Sequence, residues 1–466
     1  MPRRVLVGVA AVLAACGSEP GSVTGPPPRP IIDAATIGAN PHNVLSALVA
    51  VRVRHADSVA ARFHLNGAAA EGDSVTPAVP AAADSASVPV LGLVPSGRYL
   101  LRVVAYGAGG LAVADSLEFT TDSLPSDLPR YTASGPDPSP GFVVFAAGQY
   151  GLVIDNSGRV VWYRRFPNGP GLNFQPQPTG RYYARPPTPE PADLEPWVEI
   201  DELGNVLRTL GCAGQLRPRF HDLIAESDGT YWLMCDETRA MDLTTVGGTA
   251  NAQVTGTVVQ HVSSAGALLF QWSAFDHFEI TDLDAASRAG PIVNWTHGNA
   301  LDLDDDGGLL ISFRSLNEVT RIDLRTGAVA WRMGGSRNQF VFQGTSDPAF
   351  SRQHGVRFAG PGQLMLLDNL GDSLATRGER YVYDERLGTA RLIGSYGSSP
   401  AVTAQQGGTT QDLPGGRTLI AYGSAGRVEE YDAAGRVVWR IEGDPGYVFR
   451  AQRIGSLYRK GVSLAR

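Results

Sequence analysis

Six times between positions 158 and 439 the chain turns on a glycine and runs directly into a short apolar strand. The copies are GRVVW from Gly158, GNVLR from Gly204, GALLFQW from Gly266, GAVAW from Gly327, GTARLIG from Gly388 and GRVVW from Gly435. Successive glycines lie 46, 62, 61, 61 and 47 residues apart, the spacing of four-stranded antiparallel units with insertions in the middle ones. One such sheet cannot cover its own two apolar faces, so the units must stack on one another, and six endings imply six blades. The expectation is an all-β fold, a six-bladed β-propeller over 129–466. Trp162, Trp331 and Trp439, which close three of the endings, are expected as apolar plugs between adjacent blades.

Upstream of the repeats the chain changes character. Arg3 and Arg4 precede an apolar run from Val5 to Val12 that is too short to span a bilayer and ends in Leu13-Ala14-Ala15-Cys16. This resembles a bacterial lipoprotein signal: residues 1–15 are expected to be removed and Cys16 to carry lipid, anchoring an exported protein to the cell envelope, on the outer membrane or periplasmic side. Residues 16–30, rich in Gly, Pro and Ser, read as a tether. Over 31–124 short alternating strands return, and LVPSGRYLLRVVAYG resembles the second half of a fibronectin type III β-sandwich, with Tyr99 at the corner position. Lys and Arg total 39 against 46 Asp and Glu, a net charge of −7, so nothing suggests nucleic acid as a partner. Cys212 and Cys235 remain after Cys16, and their spacing is compatible with a disulfide or with buried thiols.

Aligning the repeats by their first strands brings out a chemical pattern. HDLIAESDGTYWLM begins at His221, HGNALDLDDDGGLLIS at His297 and HGVRFAGPGQLMLL at His354, with Gln406 at the matching place in the next repeat. Polar residues just ahead of the channel-lining strands gather at one mouth of a propeller, so three histidines in register point to a shared site. Arg314, at the end of a second strand, suits a bidentate grip on an oxyanion, or else an ion pair with Asp236 or Asp368. Asn299, two residues after His297, is expected on the same face with an amide to offer the anion. Phe220, Trp295, Phe313 and Phe358 are candidates for an aromatic wall. Asp302, Asp304, Asp305 and Asp306 imitate the start of a calcium loop, but Phe313 stands where the bidentate Glu belongs, so the segment reads as a hairpin turn and no metal is expected.

HDL at His221, Trp295-x-His297-x-Asn299, Ser312-x-Arg314, QHGVRF from Gln353, LLDN from Leu366 and the terminal VFRAQRIGSLY together resemble the bacterial arylsulfate sulfotransferases. The resemblance implies transfer of a sulfuryl group from an aryl sulfate to a phenol without PAPS or another cofactor, by a ping-pong route through a sulfated histidine. It implies His354 as nucleophile, with His221, His297 and Arg314 stabilising the transferring group and Asn299 binding it. Gly355 is expected to leave room for the substrate. Expected partners are small aryl sulfates and phenols, and a membrane through the lipid; a homodimer is left open. Two other readings are a non-catalytic surface-anchored binding propeller and a quinone-dependent dehydrogenase-like propeller; for the latter the carboxylate constellation is not found.

Overall fold

A computed structural model describes residues 25–67, 73–187, 195–371 and 374–458. The expected signal peptide 1–15 and the lipidated Cys16 lie outside the described residues, as do most of the tether and residues 459–466.

From residue 142 onward the strands form six sheets, each built on four antiparallel strands and three of them extended by a fifth, the arrangement of a β-propeller. The second to sixth sheets are continuous in sequence and start at Phe174–Pro176, Arg217–Ala225, Gly298–Leu303, His354–Phe358 and Thr409–Leu413. The first is composite: Phe142–Ala147, Tyr150–Ile154 and Val160–Arg165 are completed by Ala451–Ile454, which pairs antiparallel with Phe142–Ala147. Thr132–Ser134 in turn pairs with Val437–Glu442 of the sixth sheet. Both ends of the repeat region are thus stitched across the same junction.

All six repeat glycines have positive φ, between 61° and 88°, and each precedes the strand that ends a sheet's run of sequential hairpins, which is why the motif is so regular. An L side chain in that left-handed turn would be strained. Between sheets the core is apolar and aromatic. Trp162 packs on Phe174 and Tyr182 of the next sheet, Trp331 on Phe340 and Tyr383, and Trp439 sits among Val143, Leu152 and Leu413. Each therefore fills an inter-sheet gap.

Ahead of the ring, two sheets face one another. One holds Ile31–Ala39, Ser46–Arg54 and Ser85–Leu91; the other is built on Ser58–Leu65 and Arg98–Gly107. Val49, Val51, Val88, Leu101 and Val103 interleave between them. The Tyr99 hydroxyl accepts a hydrogen bond from the Val94 amide at 2.8 Å, closing the corner between the two. This unit touches the ring where Val44 N–H donates to the Tyr163 hydroxyl and Leu91 N–H to the Tyr458 hydroxyl, both at 3.1 Å. Cys212 and Cys235 form a disulfide.

Candidate active site

The three histidines each sit at or just before the first strand of the third, fourth and fifth sheets, and the ring brings them together. The His221 and His297 rings are 5.0 Å apart edge to face, and the Phe449 ring bridges from His221 at 5.7 Å to His354 at 6.3 Å. His221 and His354 are buried. Phe220 stacks on His221 at 4.0 Å and meets Phe449 at 5.6 Å, giving the cluster an aromatic side.

Hydrogen bonding assigns the rings different forms. Asn369 donates both amide hydrogens to carbonyls, Ala404 O at 2.9 Å and Gly407 O at 3.0 Å, so its Oδ1 must face His354. His354 Nδ1 lies 2.8 Å from that oxygen and 3.0 Å from Arg352 O. Two acceptors on Nδ1 require a proton there, which leaves a lone pair on Nε2. Among the described residues that lone pair is met only by the long contact from Gly407 N–H at 3.3 Å. For His221 the logic inverts: Arg219 Nε donates to Nδ1 at 3.3 Å, so the neutral ring carries its proton on Nε2. His297 matches it, with the Asn294 amide nitrogen 2.7 Å from Nδ1. One ring therefore presents a nucleophilic nitrogen and two present N–H donors.

Charge around the rings is one-sided. Burial pushes the His354 ring down to about 4; the Asn369 hydrogen bond opposes this and the Arg314 charge adds to it. Burial, then Arg219, His297, His354 and Arg314, hold His221 well below the usual histidine range. His297 is also held well below that range, by burial and then by Arg219 and Arg314. Arg314 itself is lowered by burial and by the charge of Arg352. Its Nη2 donates to Gln405 O at 3.2 Å and its backbone N–H to His297 O at 3.0 Å, and among the described residues no carboxylate pairs with it. The two suggested partners are taken: Asp236 pairs with Arg219, and Asp368 lies by Arg377 and accepts from Ser351 N–H. Three neutral imidazoles beside an uncompensated guanidinium form a cluster that favours an anion.

Several expectations change in detail. Asn299 is buried and donates Nδ2 to Gln353 O at 2.7 Å, so that amide hydrogen braces the residue before His354 rather than reaching outward. Its Oδ1 is buried without a partner. Gly355 does not clear a path for substrate: at φ +62° its missing Cβ would lie 2.9 Å from Thr409 Cα, so the space belongs to the sixth sheet. Trp295 and Phe313 are buried in the core of the third and fourth sheets and Phe358 packs against that of the fourth and fifth, leaving Phe220 alone of the proposed aromatic wall beside the rings. The Asp304 carboxylate takes the Asp306 and Gly308 amides and the Arg321 guanidinium, which is the work of a turn. Asn369, Phe449 and Arg219 escaped the sequence reading. The Asn of LLDN and the Phe of VFRAQRIGSLY could have been found from their places in family motifs; Arg219 sits outside those motifs and carried no such signal.

The arylsulfotransferase (ASST) family model matches residues 218–444, the stretch that holds all three histidines, Asn299 and Arg314. No curated protein matches the chain. Similar solved structures include a catalytically inactive virginiamycin B lyase from Staphylococcus aureus with quinupristin, at 10% identity and TM-score 0.36 over 66% of this chain and 87% of that one. A streptogramin B lyase follows at 11% and 0.37, over 66% and 87%. Apo AztD from Citrobacter koseri stands at 11% and 0.29, over 84% and 97%. Likeness at this level carries no argument about function.

Proposed function

We propose, from the arylsulfotransferase-like stretch at residues 218–444, that the chain is an aryl-sulfate sulfotransferase in which His354 Nε2 carries the sulfuryl group between donor and acceptor. The six sheets are read as the six blades of its propeller over 129–466. The two facing sheets within 31–124 are read as a fibronectin type III-like sandwich, and Cys16 as the lipid anchor that holds the protein to the envelope.

The observation that carries the reading is the assignment of tautomers. A nucleophile needs a free lone pair, and Asn369 with Arg352 O fixes the His354 proton on the far nitrogen. In the first half-reaction Nε2 attacks sulfur, the N–S bond forms, the S–O bond to the aryl group breaks and its electron pair leaves on the phenolate. Charge in this transition state is spread over the outer sulfuryl oxygens, so stabilisation rests on placed donors and cations. The Nε2–H groups of His221 and His297 and the Arg314 guanidinium supply them. The bound anion also offsets the arginine field that depresses the His297 ring, and with the Asn294 amide turned to offer its oxygen to Nδ1–H that ring can be protonated and return a proton to the phenolate. In the second half-reaction an acceptor phenol loses its proton to that same ring, its oxygen attacks sulfur and the N–S bond breaks.

Intact-protein mass spectrometry after mixing with a nitrophenyl sulfate and no acceptor tests this. One added sulfuryl group is expected in the native protein and none in His354→Ala, along with a burst of nitrophenol that the variant lacks. Turnover without the adduct, or turnover by His354→Ala, overturns the assignment; no reaction with any aryl sulfate favours a binding propeller.

A further inference from the structure

Three of the sequence motifs contain a charged residue that the reaction above does not use: Asp222 in HDL, Arg357 in QHGVRF and Arg450 in VFRAQRIG. These three meet under the histidines. Asp222 Oδ1 pairs with Arg450 Nη2 at 2.9 Å and Oδ2 with Arg357 Nη2 at 2.9 Å. Oδ2 also accepts the Leu301 amide at 3.0 Å, and Oδ1 accepts the Leu223 amide at 3.1 Å. Arg450 Nη2 reaches on to His221 O at 3.2 Å, and Arg357 Nη1 to Leu301 O at 3.0 Å. Side-chain exposures of Asp222 and Arg450 are both 2%, so both charges are held away from bulk water.

We propose that Asp222 is a positioning residue: its one carboxylate ties together the four chain segments that present His221, His297, His354 and Phe449, and so sets the distance between the nucleophile and the donors. The ties run to the right places. Asp222 adjoins His221, Leu301 lies on the strand that follows His297, Arg357 is three residues beyond His354, and Arg450 follows Phe449 directly. The inter-strand ladders do not supply this link, because backbone pairing stops at the edge of each sheet and the histidines stand on three different sheets. A carboxylate with two guanidiniums at fixed hydrogen-bonding distance is a stiff joint, since Asp222 and Arg450 are both desolvated and cannot separate without leaving a buried charge poorly paired, while Arg357, 24% exposed, holds the second oxygen.

The proposal rests on the sulfotransferase reading, and its test separates the two. A merely structural role predicts that breaking any equally buried pair has the same effect. Glu430–Arg453, at 2.7 Å with exposures of 0% and 3%, joins the sixth sheet to the closing strand of the first, outside the histidine cluster, and serves as the comparison. In Asp222→Asn and Glu430→Gln the thermal midpoint is expected to fall in both. The burst rate constant with nitrophenyl sulfate is expected to fall about 10²-fold only in Asp222→Asn, the scale for reacting groups displaced by about 1 Å, with KM nearly unchanged. The histidine ring nitrogen resonances of His221 and His354 are expected to move in Asp222→Asn and to stay in Glu430→Gln. Those resonances report on geometry even if no aryl sulfate reacts, so failure of the reaction and failure of the joint are told apart. Equal effects in the two variants, or native resonances in Asp222→Asn, overturn the proposal. Should Asp222→Asn fail to fold, Arg357→Gln removes one ion pair and leaves Arg450 paired; native His354 resonances in that variant overturn it equally.

Discussion

The protonation of His354 gives the sharpest numerical expectation. A free histidine titrates at about 6.5, whereas this ring is held at about 4 by burial and by Arg314 against the pull of Asn369. The difference corresponds to about 3 kcal/mol against the imidazolium. At pH 5 about nine in ten His354 rings then keep the Nε2 lone pair, against about one in thirty for an ordinary histidine. A rapid-quench measurement of the nitrophenol burst, with donor alone, should give a rate constant that is level from pH 8 to about 5 and half-maximal near 4. Replacing Arg314 by Gln should raise that midpoint, because its charge is one of the forces holding the ring neutral. The same group acts on stability with a definite sign. The folded state binds this proton less readily than the unfolded chain, so stability is full above about pH 6.5 and declines by up to about 3 kcal/mol as the pH falls toward 4. A burst midpoint near 6.5 would refute the reasoning, since it would mean that the ring attacking sulfur is not the buried one.

Arg314→Lys keeps the charge but loses the planar fork, and both half-reactions should slow by about 10²-fold in single-turnover measurements; an unchanged rate would leave the guanidinium without a part in the transition state. Gly355→Ala forces a Cβ at positive φ into Thr409 Cα, so the thermal midpoint should drop and the burst should weaken with it, and a variant of native stability would count against the close packing of the fifth and sixth sheets. Cys16→Ser should abolish incorporation of a fatty-acid probe in cells and release the protein from membranes, and continued labelling would remove the lipid anchor from the reading.

What could be read in the sequence was what the backbone repeats. A glycine is needed at each turn into an outer strand because φ is positive there, and the histidines stand out because the first strands they introduce recur in register. Whatever depends on contacts between repeats was hidden. Asn299 has the right spacing to share a face with His297, yet the Gln353 carbonyl of the next sheet claims its amide. Trp295 and Phe313 flank site residues in sequence but alternate inward, where they join Trp272 and Phe278 in an inter-sheet core. The tautomer of each histidine depends on Asn369, Arg219 or Asn294, one of them fifteen residues away from its ring. Nor could the spacing of Cys212 and Cys235 decide between a bond and two thiols; the disulfide follows from the third sheet bringing their Cα atoms to 6.3 Å.

The junction that stitches the ring has a consequence in time. Ala451–Ile454 supplies the inner strand of the first sheet, and Phe449 and Arg450 come immediately before it. A chain emerging from a ribosome therefore has all three histidines long before it has the aromatic ring between two of them or the guanidinium that reaches the His221 carbonyl. The surroundings of the three histidines cannot be completed piecemeal during synthesis; they come into being only when the two ends of the repeat region find each other, which makes the finished cluster a late product of folding.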